Sequence, residues 1–149
     1  MRALLQRVSR AEVRVAGEVV ATVGQGLVIL VGVGHADDEG SADVLARRIV
    51  ELRIFRDEAG KTNRSILDVA GGALVVSQFT LFADTTRGRR PGFTQAGPAE
   101  LAERLYERVA TRLGEAGVAP VGTGRFGAEM AVELVNDGPF TLWLDTAVR

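Results

Sequence analysis

The sequence predicts a compact single-domain α/β protein of mixed β-sheet with two main helices. Three observations carry that expectation. Apolar residues alternate at period two over the first third of the chain and again near its end, which is strand patterning. Two internal segments instead space their apolar residues three and four apart, which is helix patterning. Between them lie short Gly-rich punctuation points, with no repeat, low-complexity tract or linker. At 149 residues the chain has the length of one domain, 1–149. A domain of that size buries about 68–70% of the surface its unfolded chain exposes.

In the first strand, Ala3, Leu5 and Arg7 alternate with Leu4, Gln6 and Val8, and Val13 and Val15 follow. Gly17 with Glu18 turns the chain into Val19–Val23, and Gly24-Gln25-Gly26 turns it again. The run Leu27-Val28-Ile29-Leu30-Val31 reads as a strand buried on both faces. Ser41 begins the first helix, with Leu45, Ile49 and Leu52 on one face. Arg53–Arg56 is extended, Asp57–Asn63 is a charged loop, and Ile66–Val69 and Ala73–Val76 are short strands. The second helix starts near Pro98 and runs to about Leu113, with Leu101, Leu105, Val109 and Leu113 in i,i+4 register. Val118–Val121 is extended. Two alternating runs, Met130-Val132-Leu134 and Phe140-Leu142-Leu144, flank N-D-G-P-F-T at 136–141 and read as a closing hairpin. Pro139 disturbs that hairpin, because it has no amide for a ladder and pushes Gly138 out of the helical region.

Composition narrows the function classes. No cysteine is present, which excludes disulfides, thiolate metal sites and a cysteine nucleophile. The longest apolar run, Leu27 to Val33, is too short to span a bilayer, and no signal peptide is expected before the first strand. The default is a soluble cytoplasmic protein. With a net charge of −1, any polyanion must meet a local basic patch. No metal or other cofactor is expected, since no ligand cluster has the necessary spacing.

Three stretches are candidates for chemistry. Ser77-Gln78-Phe79-Thr80-Leu81 places two hydroxyls and an amide at the end of a strand. A catalytic triad there would have to recruit His35, the one histidine of the chain, which reads better as a solvated loop residue beside Asp37 and Asp38. Arg87, Arg89 and Arg90 form a Gly-containing loop that is either simply solvated or a phosphate grip. The Asn136–Thr141 turn is the third. On residues alone, this is a soluble domain with an arginine loop suited to RNA or phosphate and no enzyme assignment.

Taken together, S-Q-F-T-L at 77–81 and N-D-G-P-F-T at 136–141 resemble the signature pair of the D-aminoacyl-tRNA deacylases. The similarity continues through M-R-A-L-L-Q-R-V at the start, G-L-V-I-L-V-G-V at 26–33, L-R-I-F at 52–55, G-R-R-P at 88–91 and G-R-F-G-A-E-M at 124–130. Thr62 stands where the family more often has Met, and Phe140 fills a position that the pattern leaves open.

That resemblance implies a layered β/α/β domain and an ester hydrolase that removes D-amino acids, or mischarged glycine, from tRNA. It implies a homodimer in which the loop of Asn136, Gly138, Pro139 and Thr141 from one subunit reaches the site of the other. A cis Gly138–Pro139 peptide would aim two carbonyl oxygens at the substrate α-carbon. An L side chain would collide with them, whereas a D side chain or glycine would not. Ser77, Gln78, Phe79 and Thr80 correspond to the catalytic strand end, with the Phe79 amide as oxyanion donor. Water activated by the ribose 2′-hydroxyl is the first-ranked nucleophile and Thr80 the second. Phe126 and Met130 would wall the pocket, Arg87, Arg89 and Arg90 would bind tRNA, and Arg7 would brace the Gly138–Pro139 loop. A non-catalytic RNA-binding module and an acyl hydrolase for substrates not carried on tRNA are the alternatives.

Overall fold

Strand β1 (Arg2–Val15) is the spine of the fold in a computed structural model that describes residues 1–148. Its first half pairs antiparallel with β3 (Gly26–Gly32) and its second half with β2 (Glu18–Val23). The β1–β2 turn places Ala16 and Gly17 at φ 50° and 81°, the left-handed pair that matches strand twist in a two-residue hairpin. Beyond β3 the sheet continues parallel through β6 (Gly72–Ser77) to β7 (Val121–Thr123). Parallel neighbours need long crossovers. The first carries α1 (Glu39–Glu51) and the small β4–β5 ladder (Phe55–Arg56, Thr62–Arg64), and the second carries α2 (Ala99–Glu115).

Strand alternation gives the sheet two apolar faces. Leu5, Leu27, Ile29, Val31, Ala73 and Val75 meet Leu45, Ile49, Leu105, Val109 and Leu113 of the helices in one core. On the other face Val8, Val13, Val23, Val28, Leu74 and Val76 fill the hollow of a curled, barrel-like sheet. Burying a side chain of this kind contributes roughly 1.5–3 kcal/mol. Strands β3 and β6 approach so closely at their start that a Cβ on Gly26 would lie 1.9 Å from the Gly72 carbonyl oxygen.

Four expectations change. The segment 130–144 is no hairpin. It is one strand, β8 (Ala131–Asp145), and both its halves pair with β1. β1 is long enough to supply a ladder to both, and Gly138–Pro139 sits where that ladder is interrupted by a bulge. The bulge also swaps faces: Val132 and Leu134 pack in the barrel-side core, and Phe140, Leu142 and Leu144 in the helix-side core. Ser41 is the third residue of α1, not its start. Asp38 caps the helix by accepting from the Ser41 amide at 2.8 Å, and Ser41 reciprocates in a capping box. Ile66–Val69 is a turn, because Ser65 and Asp68 hydrogen-bond each other's amides at 2.8 and 3.2 Å and divert the backbone from a ladder. The charged loop ends early, with Thr62 and Asn63 already in β5.

Candidate active site

Two parallel strands, β3 and β6, deliver the site. Ser77 is the last residue of β6, and the Gln78 amide extends the pairing by donating to the Val31 carbonyl at 2.7 Å. A single 3-10 turn, Phe79–Phe82, then takes the chain off the sheet. Beside it opens a cleft of about 650 Å³ lined by Ser77, Gln78, Phe79, Phe126 and Met130 together with Phe93, Gly97 and Ala102. The lining is mainly apolar and Glu129 is its one charged residue.

One wall of the cleft is a strap, residues 93–97. It is held to the end of β3 by the Gly97 amide donating to the Val33 carbonyl at 2.8 Å and by a Gly34–Ala96 bridge. His35 is an exposed turn residue, as expected, and its Nε2 lies 2.9 Å from the Thr94 carbonyl oxygen. Phe93 packs edge-to-face on Phe79 with ring centroids 4.9 Å apart, and both rings remain well exposed at the mouth. Deeper in, Phe126 stacks on Tyr106 at 5.8 Å, and burial pushes the Tyr106 phenol above its ordinary pKa. Met130 Sδ accepts from the Arg125 amide at 3.4 Å.

Of the catalytic candidates, Gln78 Nε2 donates to Thr80 Oγ1 at 2.5 Å. Among the described residues neither the Ser77 nor the Thr80 hydroxyl is hydrogen-bonded to a histidine or carboxylate, so the strand end contains no nucleophile–base pair there. Among the described residues, no group of three or more His, Asp or Glu side chains is placed to hold a metal.

Asn136, Gly138, Pro139 and Thr141 lie outside this cleft of their own chain. The Gly138–Pro139 peptide is cis, and Gly138 has φ 138°, a conformation that side chains disfavour. Asn136 Nδ2 donates to the carbonyls of Arg7 and Phe140, both at 2.9 Å, and Asn136 Oδ1 accepts from the Phe140 amide at 3.2 Å. Gln6 Nε2 donates to Thr141 Oγ1 at 3.3 Å. Arg7, 3% exposed, donates from Nε to the Asp137 carbonyl at 3.1 Å and from a terminal nitrogen to the Ile54 carbonyl at 2.6 Å. Arg7 therefore does brace the loop.

Arg87, Arg89 and Arg90 are exposed on a loop closed at its base by two backbone hydrogen bonds between Asp84 and Gly92, 2.8 and 2.9 Å. The side chain and amide of Thr86 hold the Asp84 carboxyl below its usual pKa. None of the three arginines forms an ion pair among the described residues. The strap with Phe93 and the loop acid Asp137 had no distinguishing sequence signal. Phe93 merely follows a Pro-Gly turn, and Asp137 looks like any turn residue.

The fold and cleft define a class: an α/β domain with an aromatic-rimmed cleft at the carboxyl end of a parallel strand. Comparison supplies the family. Residues 4–145 match the family model described as D-Tyr-tRNA(Tyr) deacylase, and the chain belongs to that family. It is 60% identical over 145 residues to the D-aminoacyl-tRNA deacylase of Ruegeria pomeroyi, covering 97% of this chain and 99% of that one. It is 58% identical over 147 residues to the D-aminoacyl-tRNA deacylase of Thermomicrobium roseum, covering 99% and 95%. A solved structure described as the c-Myc DNA unwinding element binding protein superposes with TM-score 0.91 at 38% identity, over 97% of this chain and 98% of that one.

Proposed function

We propose that the cleft at the end of β6 hydrolyses the ester of D-aminoacyl-tRNA, and that the Gly138–Pro139 loop of a second subunit excludes L-residues from it. Deacylation of D-aminoacyl-tRNA, an ester hydrolysis, follows from the family and from the full-length relatives that bear this activity in their names. The observation that carries the finer reading is the separation of two parts within one chain. The Ser77–Phe79 strand end lines an apolar cleft, while the braced Gly138–Pro139 loop lines none of it. A homodimer reunites the two.

In this reading the Phe79 amide donates to the ester carbonyl oxygen as negative charge develops, an interaction worth about 10²–10³ in rate. Water activated by the ribose 2′-hydroxyl adds to the carbonyl carbon. The bond to the ribose oxygen breaks and that oxygen takes the proton, releasing free amino acid and tRNA. Thr80, held by Gln78 and without a base, orients and does not attack. Phe126 and Met130 wall the site, and Arg87, Arg89 and Arg90 meet acceptor-stem phosphates. The chain 1–149 acts as one catalytic domain in the cytoplasm. Glycine on tRNA is a second substrate, because it offers no side chain to exclude. It works in translation quality control as a chiral proofreader.

The test is an assay of purified protein on D-Tyr-tRNA, glycyl-tRNA and free D-tyrosine esters. Turnover of the two tRNA substrates supports the proposal. Binding without ester loss would establish an RNA-binding module, and equal turnover of free esters a general acyl hydrolase.

A further inference from the structure

Neither central residue of the Gly138–Pro139 loop can anchor itself: Pro139 has no amide, and Gly138 has no side chain. The flanking residues tie the loop down, and their contacts converge on Arg7, the one buried charged side chain among the described residues. The Asp137 carboxylate, one residue before the pair, lies 3.2 Å from Arg7 Nε. The Phe140 ring, one residue after it, lies under the guanidinium with 4.7 Å from Cζ to the centroid. Arg56 approaches the same Asp137 carboxylate at 3.6 Å and ties it to β4.

We propose that Asp137 and Phe140 are positioning residues for chiral selection. They hold the Arg7 guanidinium by edge and by face, and this clamp sets the direction of the Gly138 and Pro139 carbonyl oxygens. The inference deepens the reading of that loop as the L-excluding element and rests on it. The geometry accounts for both residue types. A carboxylate fits the guanidinium edge, and an aromatic ring fits its flat face in a water-poor setting where the attraction is strongest. The Asn136 side chain ties the bulge through the amide and carbonyl of Phe140 and the carbonyl of Arg7, and these hydrogen bonds reach no atom of the Gly138–Pro139 peptide. With the guanidinium seated, a Cβ on Gly138 would lie 3.1 Å from its terminal nitrogen, so the clamp leaves little room for a side chain at that position. Phe140 thus acts from beneath the loop and does not line the cleft of its own chain.

The experiment measures kcat and KM on D-Tyr-tRNA and L-Tyr-tRNA for Asp137→Asn, Phe140→Leu and Phe140→Tyr, with melting temperature as the companion readout. Asp137→Asn and Phe140→Leu are expected to raise the L-to-D ratio of kcat/KM roughly tenfold each, the scale of one contact to a buried guanidinium. Phe140→Tyr, which keeps the ring face, is expected to retain the wild-type ratio. Leu134→Ala, in the other half of β8, serves as a destabilised control with an unchanged ratio. Pro139→Gly separates the two levels. If it relaxes selectivity while Asp137→Asn and Phe140→Leu lower only the melting temperature, the clamp is overturned and the loop reading stands. If Pro139→Gly also leaves the ratio unchanged, the loop reading falls and the clamp with it.

Discussion

Arg7 and Asp137, 130 positions apart in the chain, meet at two points: the Arg7 Nε lies 3.1 Å from the Asp137 carbonyl oxygen and 3.2 Å from its carboxylate. The pair joins the first strand to the bulge of the last, and the third contact of Arg7, to the Ile54 carbonyl, brings in the start of β4. Replacing Arg7 by Met is expected to leave that buried carbonyl unpaired and to cost roughly 2–4 kcal/mol. Arg7→Lys is expected to restore only part of this, since an ammonium cannot satisfy the three directions at once. Urea melts check it: the midpoint should fall in that order with the slope unchanged.

If water attacks, as proposed, Thr80→Ala is expected to keep much of the activity, since the Thr80 hydroxyl is paired with the Gln78 amide and not with a base. Chelators are expected to leave the rate unchanged. Loss of all turnover in Thr80→Ala, with fold and tRNA binding intact, would shift the chemistry to an acyl-enzyme route.

Neutralising Arg87, Arg89 and Arg90 together is expected to weaken tRNA binding and flatten its dependence on salt. Each lost phosphate contact should lower the slope of log K against log salt by roughly 0.7–0.9. Filter binding at several salt concentrations reads this directly. An unchanged slope would return the loop to plain solvation.

Asp43 links the helices. Its carboxylate accepts from Arg108 at 2.8 and 2.9 Å, and this guanidinium, followed by the Arg112 charge, holds the carboxyl below its ordinary pKa. A depressed folded pKa stabilises above the unfolded value and loses its effect as pH falls through the folded one. Asp43→Asn is therefore expected to melt lower than wild type near neutral pH, with the gap closing below the usual carboxylate range. Paired thermal melts across acidic pH test it. The pair is solvent-accessible, so the gap should also shrink with added salt.

Much of the fold was legible because binary patterning is local. Leu45 and Ile49, and Leu105, Val109 and Leu113, are buried as their spacing requires, and Leu27–Val31 is the interior strand its unbroken run implies. The reading of 130–144 as a hairpin went astray because strand pairing is non-local: alternation shows two extended halves and cannot show that both use β1. Ile66–Val69 misled because an apolar tetrad looks alike in a strand and in a turn whose hydrogen bonds come from Ser65 and Asp68. Ser77 at the end of β6 and Thr80 in the turn beyond it stood out in sequence as two hydroxyls at a strand end, but their proposed catalytic role came through family resemblance alone, since neither carries a partner pattern. Phe93 and Asp137 became visible only once the strap and the bulge brought them to Phe79 and Arg7.

The central claim is hydrolysis selective for hand. Its most direct test is the rate of ester loss from D-Tyr-tRNA and L-Tyr-tRNA, charged on the same tRNA and exposed to the unmodified protein at equal concentration. The account predicts rapid release from the D-ester and a rate from the L-ester indistinguishable from the uncatalysed control. Efficient release from the L-ester would contradict it.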